Sequence, residues 1–282
     1  MVVGLLPFIC LSERFFQHAV GTSAGSLSPR TNWNSLAEFE FKLPTPDQQC
    51  RISEMLWAVD RSVVRALELL TSLETAKNAE FRRGEAKGTG LQRLESFTEL
   101  ISDGDHNPPK RTASGVPHVL VQNIRDGSVN FDECTFISEE DFERVKKRYV
   151  PRKNDVLIVC VGATIGRAGM VPDFVEFSTD RSLAVVRFDP AKVLPEYGFA
   201  LVTSDAFQRQ VQQNSVGTAQ PHLFLGDIRR IQVAVPTIPD QQRVIEVLGQ
   251  LGSAREAAAQ HILRLESLRE QLSLATLGAG DV

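Results

Sequence analysis

Two stretches of this chain repeat each other at an offset of 192 residues, and no other feature restricts its fold as much. Ser12-Glu13-Arg14-Phe15 falls on Ser204-Asp205-Ala206-Phe207, and Leu36, Phe39, Phe41, Leu43 and Pro44 fall on Ile228, Ile231, Val233, Val235 and Pro236. Each copy reads as a short helix, a loop opening with Gly21-Thr22 or Gly217-Thr218, and a strand, which in the first copy covers Leu36 to Leu43. A helix start then follows each strand, Thr45-Pro46-Asp47-Gln48 and Thr237-Ile238-Pro239-Asp240, with Thr as the cap and Pro in the first turn.

The helices that follow have matching apolar stripes. One steps by four and three through Ile52, Leu56, Val59, Val63, Ala66, Leu70 and Leu73; the other steps the same way through Val244, Leu248, Leu251, Arg255, Ala258, Ile262, Leu265 and on to Leu272. Strict alternation of this kind is the seam of a coiled coil, narrower than the stripe of a helix lying on a globular core. At 1.5 Å per residue each helix would be roughly 55 Å long.

Between them lie a glycine-rich linker, Arg83 to Gly90, and a region of short β-branched runs: Val116 to Val121, Asp155 to Val161, Gly169 to Val171, Leu183 to Phe188 and Ile231 to Val235. Glu139 to Arg148 and Tyr197 to Gln212 read as helical. The fold class is therefore α+β, a domain held between two long coil-forming helices. Composition agrees: 42% of the 282 residues are hydrophobic and 23% charged, which suits a folded globular chain. The apolar run Met1 to Leu11 is too short to span a bilayer and lacks the positive flank of a signal peptide. Four dispersed cysteines form no Cys-x-x-Cys pair, which fits a reducing cytoplasm and neither a zinc knuckle nor a disulfide framework.

Catalytic motifs are weak. Asn107-Pro108-Pro109-Lys110 resembles the Asn-Pro-Pro-aromatic motif of DNA amino-methyltransferases, but Lys110 stands where the stacking ring belongs and no Gly-x-Gly cofactor turn precedes it. Gly162-Ala163-Thr164-Ile165-Gly166-Arg167 lacks the Gly-Lys-Ser/Thr end of a nucleotide loop and reads as a strand-to-strand turn with a basic tip. The five histidines, His18, His106, His118, His222 and His261, have no metal-ligand spacing and read as surface or capping residues. Arg144 to Lys153 concentrates six positive charges in ten residues, a pattern commoner in solvated faces than in phosphate sites. With a net charge of −4, nucleic-acid binding would need a local basic surface.

The strand, Pro-rich cap and Asp47-Gln48-Gln49-Cys50-Arg51-Ile52, repeated as Asp240-Gln241-Gln242-Arg243-Val244-Ile245, resemble the Pro-x-x-Glu-Gln-x-x-Ile segments of type I restriction-modification specificity subunits. The region between resembles a target recognition domain of that family through Asp103-Gly104-Asp105-His106-Asn107-Pro108, Val121 to Gly127, Lys153 to Arg167 and Gly217-Thr218-Ala219-Gln220-Pro221-His222-Leu223. The resemblance implies a domain with a mixed, largely antiparallel sheet and short helices, flanked by helices that pair as an antiparallel coiled coil. It divides the chain into 1–45, the end of a first recognition domain whose body is missing; 46–86, a long helix; 87–236, a complete recognition domain; and 237–278, the second long helix. The first segment, an apolar strand with an open edge, would be weakly held.

By the same resemblance the chain is a non-catalytic, cytoplasmic subunit without a cofactor of its own. It would read one half of a split site in double-stranded DNA and dock methyltransferase subunits that bring S-adenosylmethionine, with a restriction and translocase subunit completing the complex. A coiled-coil scaffold whose α+β domain binds another protein is the alternative. Chemistry selects the candidate contacts, since amides and guanidinium groups read base edges while Lys, Arg and hydroxyls hold phosphates. The candidate readers are Gln122, Asn123, Thr218 and Gln220; the candidate phosphate or groove contacts are Lys110, Arg111, Arg125, Arg167 and Arg181, with Thr164 in the same turn as Arg167. For each, turn capping or a plain surface position is the competing role.

Overall fold

The computed structural model describes residues 1–24, 30–104, 109–125, 127–147, 149–173, 176–215 and 222–277. The chain forms two compact units, Met1–Thr75 with Leu251–Val282, and Ala76–Gln250. In the first unit a 3-10 turn, Val3–Leu5, leads into α1 (Leu6–Cys10), α2 (Glu13–Gly21) and α3 (Trp33–Ala37). Ser12 caps α2 by accepting from the Phe15 N–H, and Asn32 caps α3 by accepting from the Ser35 N–H at 2.9 Å. The forty-residue helix α4 (Pro46–Glu85) starts in this unit. Leu5, Phe8, Ile9 and Leu56 form its core, with Phe39, Phe41 and Ile52 packed against them.

The second unit opens with β1 (Gln92–Arg93), a 3-10 turn at Leu94–Phe97 and β2 (Thr98–Asp103). There follow β3 (Arg111–Thr112), β4 (Val116–Val119), a 3-10 turn at Val121–Asn123, β5 (Ile124–Arg125), β6 (Ser128–Val129), β7 (Thr135–Ile137) and α5 (Glu139–Val145). Then come β8 (Val156–Val159), β9 (Ala168–Met170), β10 (Ser178–Thr179), β11 (Leu183–Phe188), α6 (Pro195–Thr203), α7 (Asp205–Asn214), α8 (Leu225–Arg230), β12 (Gln232–Val233) and the forty-residue α9 (Ile238–Leu277).

The strands form sheets ordered β2-β11-β8-β9-β6-β5, β10-β4-β7-β3 and β1-β12. Their pairings are antiparallel except β6 with β9 and β10 with β4. Strand β8 is buried at every position, and its neighbour β11 at all but Arg187, because the sheet is covered on both faces. Val156, Ile158, Ala184 and Val186 face α6, α7 and α8 through Tyr197, Leu201, Val211 and Ile228. Leu157, Val159, Leu183 and Val185 face a second cluster with Val119, Val129 and Phe177. Period-two alternation survives as a choice of core, which is why the two runs look uniformly apolar in sequence.

Along α4 the positions Ile52, Leu56, Val59, Val63, Ala66, Leu70 and Leu73 are all buried or half-buried. On α9 every seam position from Val244 to Leu272 is too, except Arg255, which is exposed. In the first unit Leu272 packs on the cluster around Leu56, so the end of α9 meets the start of α4. In the second, a Cβ on Gly84 would stand 2.7 Å from Val244 Cγ2, so the end of α4 meets the start of α9. The helices pair antiparallel, in the fold class expected from the sequence.

One expected element is absent. Leu36 to Leu43 is not a strand: α3 ends at Ala37 and the chain to Thr45 has no regular structure. In the second copy β12 exists because β1 pairs with it and the Leu94 N–H donates to Ile231 at 2.8 Å. No strand lies beside Glu40-Phe41 among the described residues. Instead of offering an open apolar edge, Phe39 and Phe41 turn inward on Leu5 and Leu56, and Phe39 meets Phe15 edge-on at 5.2 Å.

Candidate nucleic-acid interface

Strand registers bring several loops to one end of the six-stranded sheet. Strand β2 ends with Asp103 opposite Ala184, β8 ends with Val159 opposite Leu183, and β9 begins with Ala168 opposite Ile158. The chain beyond β2, the turn from Cys160 to Arg167 and the approach to β11 through Arg181 and Ser182 therefore emerge together. Backbone bonds tie them: Cys160 N–H to Ser182 at 2.8 Å, Leu223 N–H to Cys160 at 2.8 Å, and a bridge between Val161 and His222. Gly104 passes so close that a Cβ would lie 2.2 Å from the carbonyl oxygens of Thr179 and Asp180, so no larger residue fits this crossing.

A cavity of about 730 Å³ opens among these loops, lined by Asp103, Cys160, Arg181, Ser182, His222 and Phe224 together with Val161, Leu223 and Leu225. Burial pushes the Cys160 thiol up to about 12, so it stays protonated at neutral pH and offers no nucleophile. Among the described residues no group of three or more His, Cys, Asp and Glu is placed to hold a metal ion, and no helix is long and apolar enough to cross a membrane.

The turn from β8 to β9 reverses through two glycines in the left-handed region, Gly162 at φ 86° and Gly166 at φ 84°. Arg167 follows, exposed, with its backbone N–H on the Thr164 carbonyl and its guanidinium reaching the Ile124 carbonyl at 3.4 Å. That last bond joins this turn to β5. Thr164 is half-buried within the turn and Arg181 is exposed at the cavity.

The other candidates are dispersed. Arg125 is exposed, but its guanidinium is held by the Gln122 carbonyl at 2.9 Å and Glu133 at 3.2 Å. Gln122 is exposed. Asn123 needs correction as a base reader: it is 2% exposed and its amide oxygen accepts from the Leu120 N–H at 2.9 Å. It closes the 3-10 turn from inside, as the competing role for a loop amide requires. Lys110 and Arg111 are exposed at β3, the edge of the four-stranded sheet, where Arg111 donates to Thr135 Oγ1 at 2.6 Å. Thr218 and Gln220, and Asp105 to Pro108, which include Asn107-Pro108 of the Asn-Pro-Pro motif, lie outside the described residues.

Three of the six charges of the basic run stand in local pairs, Arg144 with Asp141, Lys146 with Glu143 and Lys153 with Asp173. His118 corrects the reading of the histidines as surface groups, being 1% exposed with Nδ1 at 2.7 Å from Ser178 Oγ. The functional candidates missed in the sequence are Asp103, His222 and Phe224. The first two stood inside quoted motifs, and only the register of β2 and the Val161–His222 bridge reveals that they meet.

The architecture is that of an α+β domain, its central sheet covered on both faces, carried by long antiparallel helices. Residues 111–267, more than half of the chain, match the type I restriction modification DNA specificity domain family. The chain belongs to that family. It is 30% identical over 163 residues to the type I restriction enzyme EcoBI specificity subunit of Escherichia coli, a match covering 58% of this chain and 34% of that protein. The chain thus spans about a third of that relative's length. Its fold is similar to that of the HsdS subunit from Thermoanaerobacter tengcongensis, with TM-score 0.54 and 16% identity, covering 98% of this chain and 70% of the other. It is also similar to the type I restriction-modification S subunit from M. genitalium, with TM-score 0.52 and 13% identity over 95% and 73% of the two chains. A chain from a structure of complex assembly and conformational transition in the type I R-M system gives TM-score 0.65 at 15% identity, over 98% and 70%.

Proposed function

We propose that this chain is a sequence-reading, non-catalytic subunit of a type I restriction-modification complex. Its recognition domain, residues 87–236, reads one half of a split target in double-stranded DNA. The paired helices, residues 46–86 and 237–278, dock methyltransferase subunits, and a restriction and translocase subunit joins the assembly in the cytoplasm. Residues 1–45 would be the end of a first recognition domain. The observation that carries this reading is convergence: the described ends of three family-like segments, Asp103-Gly104, Cys160 to Arg167 and His222-Leu223, meet at one end of one sheet with Arg167 and Arg181 exposed beside them. Two exposed guanidinium groups supply the local positive charge that a net charge of −4 denies the chain as a whole.

The test is methylome sequencing of cells with and without the gene. One bipartite methylation motif should disappear on deletion and return on complementation. An unchanged methylome, or methyl transfer from S-adenosylmethionine by the purified chain alone, would overturn the reading.

A further inference from the structure

The rings of His222 and Phe224 stack at 4.4 Å between centroids and 25° between planes, on the rim of the 730 Å³ cavity. Phe224 is 62% exposed although large and apolar, so one of its faces is covered by His222 and much of the ring is open to solvent. Its helix does not need it in that role, because α8 is anchored by the buried Ile228 and the start of the helix is served by Asp227 accepting from the Phe224 backbone N–H at 3.4 Å. Arg181, Ser182 and Asp103 line the same cavity. Arg181 forms no ion pair among the described residues.

An open aromatic face beside a cavity with hydrogen-bonding groups of both polarities is the equipment for holding one planar heterocycle. The volume falls in the range of small-molecule pockets, roughly 300 to 1,000 Å³, and so admits a nucleobase with its sugar. Arg181 adds a cation where that nucleotide's phosphate would pass. We propose that the His222–Phe224 stack is a platform for a single nucleobase displaced from the duplex, with Asp103, Arg181 and Ser182 facing its edge and phosphate. This deepens the DNA reading and rests on it. It assigns to the recognition domain the capture of an unstacked base, besides the reading of paired ones, and names Phe224 as the residue that makes the contact.

Two 30-base-pair duplexes of the same sequence test it by fluorescence anisotropy with the full chain, one fully paired and one carrying a single unpaired 2-aminopurine. The bulged duplex should bind about tenfold more tightly, as expected for one base stacked on an aromatic ring. Its 2-aminopurine emission should be quenched on binding. Phe224→Ala should abolish both the preference and the quenching, and Phe224→Trp should restore them. Equal binding of the two duplexes by the wild-type chain, or a preference that survives Phe224→Ala, overturns this proposal and leaves the DNA reading standing. Binding to neither duplex overturns both.

Discussion

Gln49 and Gln241, 192 residues apart, make the same pair of hydrogen bonds in two different units. Gln49 Oε1 accepts from the Val2 N–H at 2.8 Å and its Nε2 donates to the Pro44 carbonyl at 2.7 Å. Gln241 Oε1 accepts from the Leu194 N–H at 2.8 Å and its Nε2 donates to Pro236 at 2.9 Å, with a further bond to Lys192 at 2.7 Å. Each amide fastens a segment 47 residues upstream to the start of a long helix. The repeat is thus conserved in its bonding as well as its pattern.

Both glutamines are nearly inaccessible, and truncation removes their hydrogen bonds to largely half-buried backbone groups, worth about 0.5 to 1.5 kcal/mol each. Gln241→Ala should cost about 3 kcal/mol and Gln49→Ala, with one bond fewer, about 2 kcal/mol. Urea denaturation read by circular dichroism would measure this. Losses under half a kcal/mol at both sites would contradict the clamp.

The second prediction concerns an ion pair inside the recognition domain. Arg187 on β11 grips Asp155 with two bonds, Nε to Oδ1 at 2.8 Å and an NH2 contact to Oδ2 at 2.7 Å. Asp155 also accepts from the Arg152 N–H at 2.8 Å and its side chain is 1% exposed. Removing one partner leaves a buried charge, so Asp155→Ala should destabilise by about 3 to 5 kcal/mol. The double variant Asp155→Leu with Arg187→Met should lose less than either single change, because no charge is stranded. A strictly additive double-mutant cycle would show that the pair is not coupled.

Much of this fold was legible because its signals are local. Thr45 and Thr237 mark helix starts that the structure keeps, with Thr237 Oγ1 donating to Asp240 at 2.8 Å, and the seam residues repeat at a spacing only a paired helix explains. Where a residue's state depends on a distant partner, the pattern failed. Phe39 and Phe41 look like the strand at Ile231 and Val233, yet strand formation needs β1 alongside and they have no such neighbour among the described residues. Asn123 failed for a local reason: its amide could read a base or lock the Leu120 N–H, and residue type alone does not tell which. The site behaved likewise: Arg167 closing a glycine turn could be picked out, while the meeting of Asp103 with His222 and Phe224 follows from sheet register across more than a hundred residues.

A pH dependence follows from the start of α9. Thr237 and Lys87 donate to Asp240, at 2.8 and 3.1 Å, and hold its carboxyl below the ordinary 3.8. A depressed carboxylate stabilises the fold fully above its unfolded value, and that contribution is lost as pH falls through the lower folded value. The stability gap between wild type and Asp240→Asn should therefore be widest at neutral pH and close as pH drops below about 4. Urea midpoints across a pH series would reveal it, and a gap independent of pH would exclude the assignment.

Thiol reactivity should divide the four cysteines evenly. Cys10 and Cys50 are exposed, whereas burial pushes Cys134 up to about 11 and Cys160 to about 12. Thiolate is the reactive form, so a disulfide reagent at pH 8 should label Cys10 and Cys50 quickly and the other two only on unfolding. Mass mapping of labelled peptides would check this; fast native labelling of Cys160 would mean that the sheet end opens far more than its backbone bonds allow.

The last prediction separates charges that can serve DNA from charges already engaged within the fold. Arg167 is exposed at the base of a turn that reverses through two left-handed glycines, and its one long bond, 3.4 Å to a carbonyl, leaves donors free. If it meets a phosphate, Arg167→Ala should weaken binding to any duplex and reduce the slope of log affinity against log salt by about one unit. Arg125 gives up more to bind, since Glu133 at 3.2 Å and the Gln122 carbonyl at 2.9 Å already occupy its guanidinium, so Arg125→Ala should change the slope less. Lys153, paired with Asp173 at 2.5 Å in the basic run, should leave it unchanged when replaced by Ala. Anisotropy titrations between 50 and 200 mM salt, on the order of the range where such slopes are resolved, rank the three. A Lys153→Ala effect as large as that of Arg167→Ala would move the DNA face from the turn between β8 and β9 to the basic run, and the interface drawn around Arg167 and Arg181 would have to be abandoned.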